Sequence, residues 1–155
     1  METPAALLTC INSYDQLVVK VKNRAPENPY QINKQFQLTG SGRYCEFVID
    51  HQQTLFVAKA NEDDNWKDKY DSRLGMINYL GVPVSWPNGD PFGSLCVLDT
   101  KTHYYSELQR KMLVQLRNIF EAHLDILEKN FELEEVATTL EYLANTDDLT
   151  GIWNR

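Results

Sequence analysis

The sequence predicts an α+β protein: a central antiparallel β-sheet with helices attached. Three observations lead there. Two stretches, residues 4–23 and 76–101, each pair apolar β-prone runs across turn residues. A helix-like stretch and a short strand lie between them. After Ser106 the chain runs without proline or glycine for about forty residues, with apolar side chains three and four apart. At 155 residues the chain can bury one ordinary core.

PAALLTCI (4–11) and QLVVKVKN (16–23) flank a short turn at Ser13-Tyr14-Asp15, so they read as a hairpin. RAPENPY (24–30), with two prolines, is a loop. Gly40-Ser41-Gly42 breaks the chain, and Tyr44, Phe47 and Val48 then follow helical spacing, with Ser41 or Gly42 as the expected cap. TLFVAKA (54–60) reads as a short strand, and NEDDNWKDKYDSRLG (61–75) as an acidic loop with a short helix. Residues 76–101 form the second hairpin around Pro87-Asn88-Gly89-Asp90-Pro91, where Asn-Gly signals a tight turn. Pro83 implies an edge position or a bulge.

Ser106 is the expected cap of the long helix. Leu108, Met112, Leu116 and Phe120 predict an amphipathic face on the chain's own sheet. Beyond Phe131, Leu133, Val136, Leu140 and Leu143 keep a 3-4-3 rhythm while the other faces turn acidic, which predicts a dimer seam against a second copy. A helix of this length, at ~1.5 Å per residue, outruns a domain about 30 Å across.

Composition excludes several classes. No apolar run reaches the ~18–20 residues of a membrane span, and METPAALLTCINSYDQ has no basic n-region. The net charge of −7, without a basic stripe, argues against nucleic acid or an anionic membrane as partner. Three widely spaced cysteines, Cys10, Cys45 and Cys96, make neither a disulfide framework nor a zinc pattern, which predicts a reducing, cytoplasmic setting. His51, His103 and His123 share no metal-ligand frame and read as surface or helix residues. The acidic run 62–68 fails the calcium-loop pattern at Lys67 and Asp68. Cys45 and Cys96 are either a redox pair or, the preferred reading, buried packing. Tyr44, Trp66, Tyr79 and Trp86 could line a pocket or fill a core. Strand alternation places Asn78, Leu80, Val82, Val84 and Trp86 on one face and Ile77 and Tyr79 on the other; Asn78 on an apolar face needs backbone or ligand partners.

GSGRYCEFVI (40–49), the run from Trp66 through LGMINYLGVPV to Val84, and WPNGDPFGSLCVLDTK (86–101) together resemble a GAF domain over about residues 4–130. The resemblance implies a central antiparallel sheet, terminal helices on one face and a ligand-capable cavity on the other. It also implies a helix ahead of the first strand, which almost nothing before PAALLTCI could supply, so a cut at both ends is expected. Asp147-Asp148-Leu149-Thr150-Gly151-Ile152-Trp153-Asn154-Arg155 resembles the D-x-L-T-G-x-x-N-R motif that opens a GGDEF domain, carried by Asp147, Leu149, Thr150, Gly151, Asn154 and Arg155. GGDEF domains make cyclic dimeric GMP from GTP, with magnesium, when two of them meet. The residues for that chemistry would lie past Arg155, so this chain itself is expected to be no enzyme and to hold no cofactor.

The resulting organisation is a GAF sensor over 1–128, a coiled-coil-like signalling helix over 129–146 and the start of a GGDEF domain at 147–155. Tyr44, Cys45, Trp66, Asn78, Leu80, Ser94 and Cys96 are the expected ligand-binding residues, for a small molecule that no motif names. Leu133, Val136, Leu140 and Leu143 are the expected homodimer seam. One alternative is a thiol-dependent enzyme similar to free methionine sulfoxide reductase, against which Cys96 and Leu98 stand where that enzyme's pattern has acids. The other is a ligand-free spacer.

Overall fold

The structure, a computed structural model, describes residues 4–145. Six strands form one antiparallel sheet: β1 (Ala5–Ile11), β2 (Gln16–Lys22), β3 (Gln35–Gln37), β4 (Leu55–Val57), β5 (Asn78–Ser85) and β6 (Pro91–Asp99). Their spatial order is β3-β2-β1-β6-β5-β4, so β1 and β6 are central partners although they lie at opposite ends of the sheet in sequence. Among the described residues three α-helices accompany the sheet: α1 (Tyr44–His51), α2 (Tyr70–Arg73) and α3 (Glu107–Asn145).

Both hairpins form as the turn residues predict, with Leu7 opposite Cys96 and Tyr79 opposite Leu98 in the central ladders. Strand alternation then divides the side chains. One face collects Leu7, Leu17, Val19, Tyr79, Cys96 and Leu98 against Tyr44, Cys45, Val48 and Ile49 of α1. The other collects Leu80, Val82 and Val97 against Tyr105 and Leu113. Pro83 faces Ser94 on β6, while β4 stops at the Leu55–Gly81 pair, so no strand lies beside the proline's other flank. A register shift follows at Val84/Ser85.

Several elements differ from expectation. The predicted strand 54–60 shortens to Leu55–Val57, because Ala60 turns its N–H to the Ile77 carbonyl at 2.6 Å and opens a 3-10 turn. The three-residue β3, polar at both ends, is additional. Neither Ser41 nor Gly42 caps α1. The capping residue is Arg43, in extended backbone, and Glu46 reaches back from the first turn. Its carboxylate accepts from the Gly40 and Gly42 N–H groups and from the Ser41 hydroxyl. Negative charge there also suits the positive end of the helix.

Ser106 caps α3 as predicted. Gln109 N–H donates to the Ser106 hydroxyl at 3.2 Å and Ser106 N–H donates to the Gln109 side chain at 2.8 Å, a reciprocal capping box. The face that α3 turns to the sheet is not the predicted one. Leu108, Met112 and Leu116 are exposed, whereas Leu113 is buried with Val114 packed beside it. Phe120 is half-buried against Phe92, 5.4 Å between ring centroids. The helix carries two apolar lines, and spacing alone does not select between them.

The chain divides into two units at Glu121/Ala122. The first holds the sheet, α1, α2 and the opening of α3. In the second, α3 continues unbroken, and every described residue from Ile126 onward is exposed, including Leu133, Val136, Leu140 and Leu143. Residues 147–155, where the GGDEF-like motif falls, lie outside the described residues. Among the described residues no helix is long and apolar enough to cross a membrane.

Gly93 of β6 lies opposite Cys10 of β1. A Cβ there would sit 1.9 Å from the Thr9 carbonyl oxygen, which is backbone and cannot step aside. Gly93→Ala is expected to destabilise the protein by about 2–3 kcal/mol, read as a lower urea midpoint at unchanged slope.

Candidate functional site

Three segments meet over the first sheet face: the loop after β2, the start of α1 and the stretch 60–76 between β4 and β5. Arg43, held just ahead of α1, lies between the rings of Phe36 and Tyr70, 3.8 and 3.9 Å from their centroids. Its Nη1 donates to Asp71 Oδ1 at 2.9 Å. The Tyr30 hydroxyl donates to the same oxygen at 2.8 Å. Arg43, Asp71 and Tyr30 are all buried.

Burial raises the Asp71 pKa above the usual carboxylate range, with Arg43 and the Tyr30 hydrogen bond pulling the other way. Burial and the adjacent Asp71 hold the Tyr30 phenol far above its ordinary value, so it stays a donor. With Leu7, Thr9, Phe36 and Cys45, the three line a small cavity of about 10 Å³. That is room for about one water molecule.

Arg43 also borders an open groove of about 620 Å³ outside α1. Trp66, Phe47 and His51 supply an aromatic wall: Phe47 stacks on His51 at 4.1 Å and meets Trp66 edge-on at 5.9 Å. Glu46, Asp50, Arg43 and Lys69 give the groove lining charges of both signs. Trp66 leans on Tyr44 at 5.0 Å, and Tyr44 stacks on Tyr79 at 4.7 Å. The Tyr44 hydroxyl donates to the Met76 carbonyl at 3.0 Å, and burial pushes its pKa up to about 12. Below these rings Cys45 Sγ lies 4.0 Å from Cys96 Sγ and 3.7 Å from the Tyr79 hydroxyl. The hydrogen bond to Cys45, with burial, holds the Cys96 thiol well above its usual range.

The seven expected ligand residues therefore separate. Tyr44, Cys45, Trp66 and Cys96 gather on the first face or at the groove. Ser94 lies on that side too, its hydroxyl 2.8 Å from that of Thr9. Leu80 belongs to the opposite face, and Asn78, two residues before it on the same strand, shares that side. Alternation forces this, since Tyr79 between them points to the cysteines. Tyr30, Arg43, Asp71 and Tyr79 were absent from the expected set. Arg43 stands inside the quoted GSGRYCEFVI stretch, but Asp71 looked like one more solvated acid, and nothing in the local sequence announces that Tyr30 reaches it.

Asp71 gives the site a testable pH signature. A carboxyl whose pKa is raised on folding binds its proton more tightly in the native state, so its contribution to stability falls as pH rises from the unfolded value toward the folded one. The advantage of the wild-type chain over Asp71→Asn is expected to shrink as pH climbs above 3.8 and then level off, measured by urea unfolding. A lowered pKa would give the opposite slope. Arg43→Met, which leaves the carboxylate without its partner, is expected to cost about 3–5 kcal/mol at neutral pH.

Comparison with known proteins supports the same architecture. The GAF domain family model matches residues 5–124. The chain is 28% identical over 125 residues to diguanylate cyclase DgcP of Escherichia coli (strain K12), covering 80% of this chain and 36% of that protein. In fold it is similar to the GAF domain of an Acinetobacter phosphoenolpyruvate-protein phosphotransferase, with TM-score 0.64, 15% identity and coverage of 84% of this chain and 75% of that one. It is also similar to free methionine-R-sulfoxide reductase from Neisseria meningitidis in complex with its substrate, with TM-score 0.65, 14% identity and coverage of 83% and 71%. The family match runs from the first residue of β1 through all six strands and into α3, and the chain belongs to the GAF domain family.

Proposed function

We propose that this chain is the small-molecule-sensing and dimer-forming module that regulates a diguanylate cyclase. The observation that carries the sensing half is the buried Arg43–Asp71–Tyr30 cluster. It joins three segments around a small cavity, beside an open groove that Arg43 also lines. A buried ion pair carries a large desolvation cost, so a ligand group that replaces one partner can release the other at modest net expense. Two arrangements of the 60–76 stretch, closed as here and open over a ligand, can then differ by only a few kcal/mol. Tyr44, Cys45, Trp66, Ser94 and Cys96, with Tyr79, form the walls such a ligand would meet.

The output half rests on α3. Leu133, Val136, Leu140 and Leu143 form an exposed apolar line with the spacing of a helical seam. A second copy is its proposed partner. A change of crossing or register along that seam would alter how often two cyclase domains, following the motif at Asp147–Arg155, meet to join two GTP molecules. The similarity to DgcP supports this reading.

A second reading is a thiol-dependent reductase, favoured by the 4.0 Å approach of Cys45 and Cys96. Burial of both sulfurs speaks for packing instead.

Leu133→Asp combined with Leu140→Asp is expected to convert a dimer to a monomer by sedimentation while the far-UV spectrum of the sheet is kept. In the full-length protein the same pair is expected to lower cyclic dimeric GMP production at least tenfold. Equal production by a monomeric variant would overturn the regulatory reading. Reduction of free methionine sulfoxide that is lost in Cys45→Ser or Cys96→Ser would favour the reductase.

A further inference from the structure

The sheet face opposite the cysteines carries a polar cluster that the sensing site does not use. Asn78 is fully buried there. Its amide nitrogen donates to the Ala58 carbonyl at 3.0 Å and to the His103 carbonyl at 2.7 Å. Two carbonyl acceptors fix the orientation of the amide, because only the nitrogen end can donate. Asn78 Oδ1 therefore faces away from both, and among the described residues it has no donor.

Two more buried atoms in the same neighbourhood lack a partner, His103 Nε2 and the Tyr105 hydroxyl. The His103 and Tyr105 rings touch, 4.6 Å between centroids. Tyr105 is buried and packs in the cluster of Leu80 and Val82, the next residues along the Asn78 face. Buried polar atoms are almost always paired, so three such atoms on neighbouring side chains call for a partner.

Their chemistry is complementary. Asn78 Oδ1 only accepts, the Tyr105 hydroxyl donates and accepts, and His103 Nε2 does either according to tautomer. Burial and nearby Asp99 hold the Tyr105 phenol above its ordinary pKa, so it remains a donor. A molecule that gives two hydrogen bonds and takes two can serve all three, and a buried water with about three partners is the common solution.

We propose that Asn78, His103 and Tyr105 hold one internal water molecule that ties β5 to the segment leading into α3. That segment is already anchored at its start, where Lys101 N–H donates to Asp99 Oδ1 at 3.0 Å, and Ser106 ends it by capping the helix. Asp99 lies opposite Asn78 on β6. The water adds a link between the start of β5 and the segment that ends at the Ser106 cap.

Two measurements test it. A crystal structure of the chain that resolves ordered solvent is expected to show one water within about 2.7–3.2 Å of all three atoms. Tyr105→Phe is expected to lower the Tm and to empty or disorder the site. If the hydroxyl has no partner, its removal raises the Tm or leaves it unchanged, because an unsatisfied buried group is then deleted. That result overturns the proposal. So does a wild-type structure with no solvent density at the site, including one in which Tyr105 bonds Asn78 directly.

Discussion

The buried ion pair of Arg43 and Asp71 fixes the part of the molecule that backbone pairing does not reach. The sheet aligns its own strands, but α1, α2 and the loop after β2 lie above it without a ladder to register them. One carboxylate oxygen, shared by Arg43 and Tyr30, brings the three together. The cost of removing a guanidinium from water is offset by two aromatic faces and a carboxylate partner, contacts that burial strengthens. An apolar replacement could pack as well, but it would not select one relative placement so sharply. Both the small cavity and the open groove inherit their shape from that placement, since Arg43 borders each.

Much of this architecture was legible in local chemistry. Asn88-Gly89 marked the tight turn of the second hairpin, and Ser106 three residues before Gln109 carried a capping box that formed. The uninterrupted run after Ser106 gave a helix of 39 residues. What escaped is what depends on distant partners. The strand Gln35–Gln37 has no apolar alternation of its own and exists because β2 offers an edge. The face of α3 depends on the side chains it meets, and two apolar lines were equally regular. Asp71 is an ordinary acid until Arg43 and Tyr30, 28 and 41 residues away, arrive beside it.

The candidate site shows the same division. Period-two alternation assigned Asn78 and Tyr79 to opposite faces, and the structure places them so. The ligand-binding set nevertheless mixed the two faces, because alternation says which residues go together and not which face carries the cavity. Burial then separated roles that residue type could not. The aromatic Tyr79 lies against the thiols, and the polar Asn78 joins the helix-side cluster. A buried amide and a buried phenol were both visible as residues, but only the fold shows what each one faces.

The outer strands of the sheet carry a consequence for solubility. β3 and β4 are three residues each, so most of β2 and β5 extends past them. An open run of backbone N–H and C=O groups is a template on which another chain can add a strand and begin an aggregate. Here each overhang is guarded. Beyond β3, β2 carries Lys20 and Lys22, whose charges an incoming strand would have to bury. Beyond β4, β5 carries Pro83, which has no N–H to offer. Two different chemical features thus disfavour strand addition at the two overhangs, which lowers the tendency of crowded copies to recruit one another's strands into a common, growing sheet.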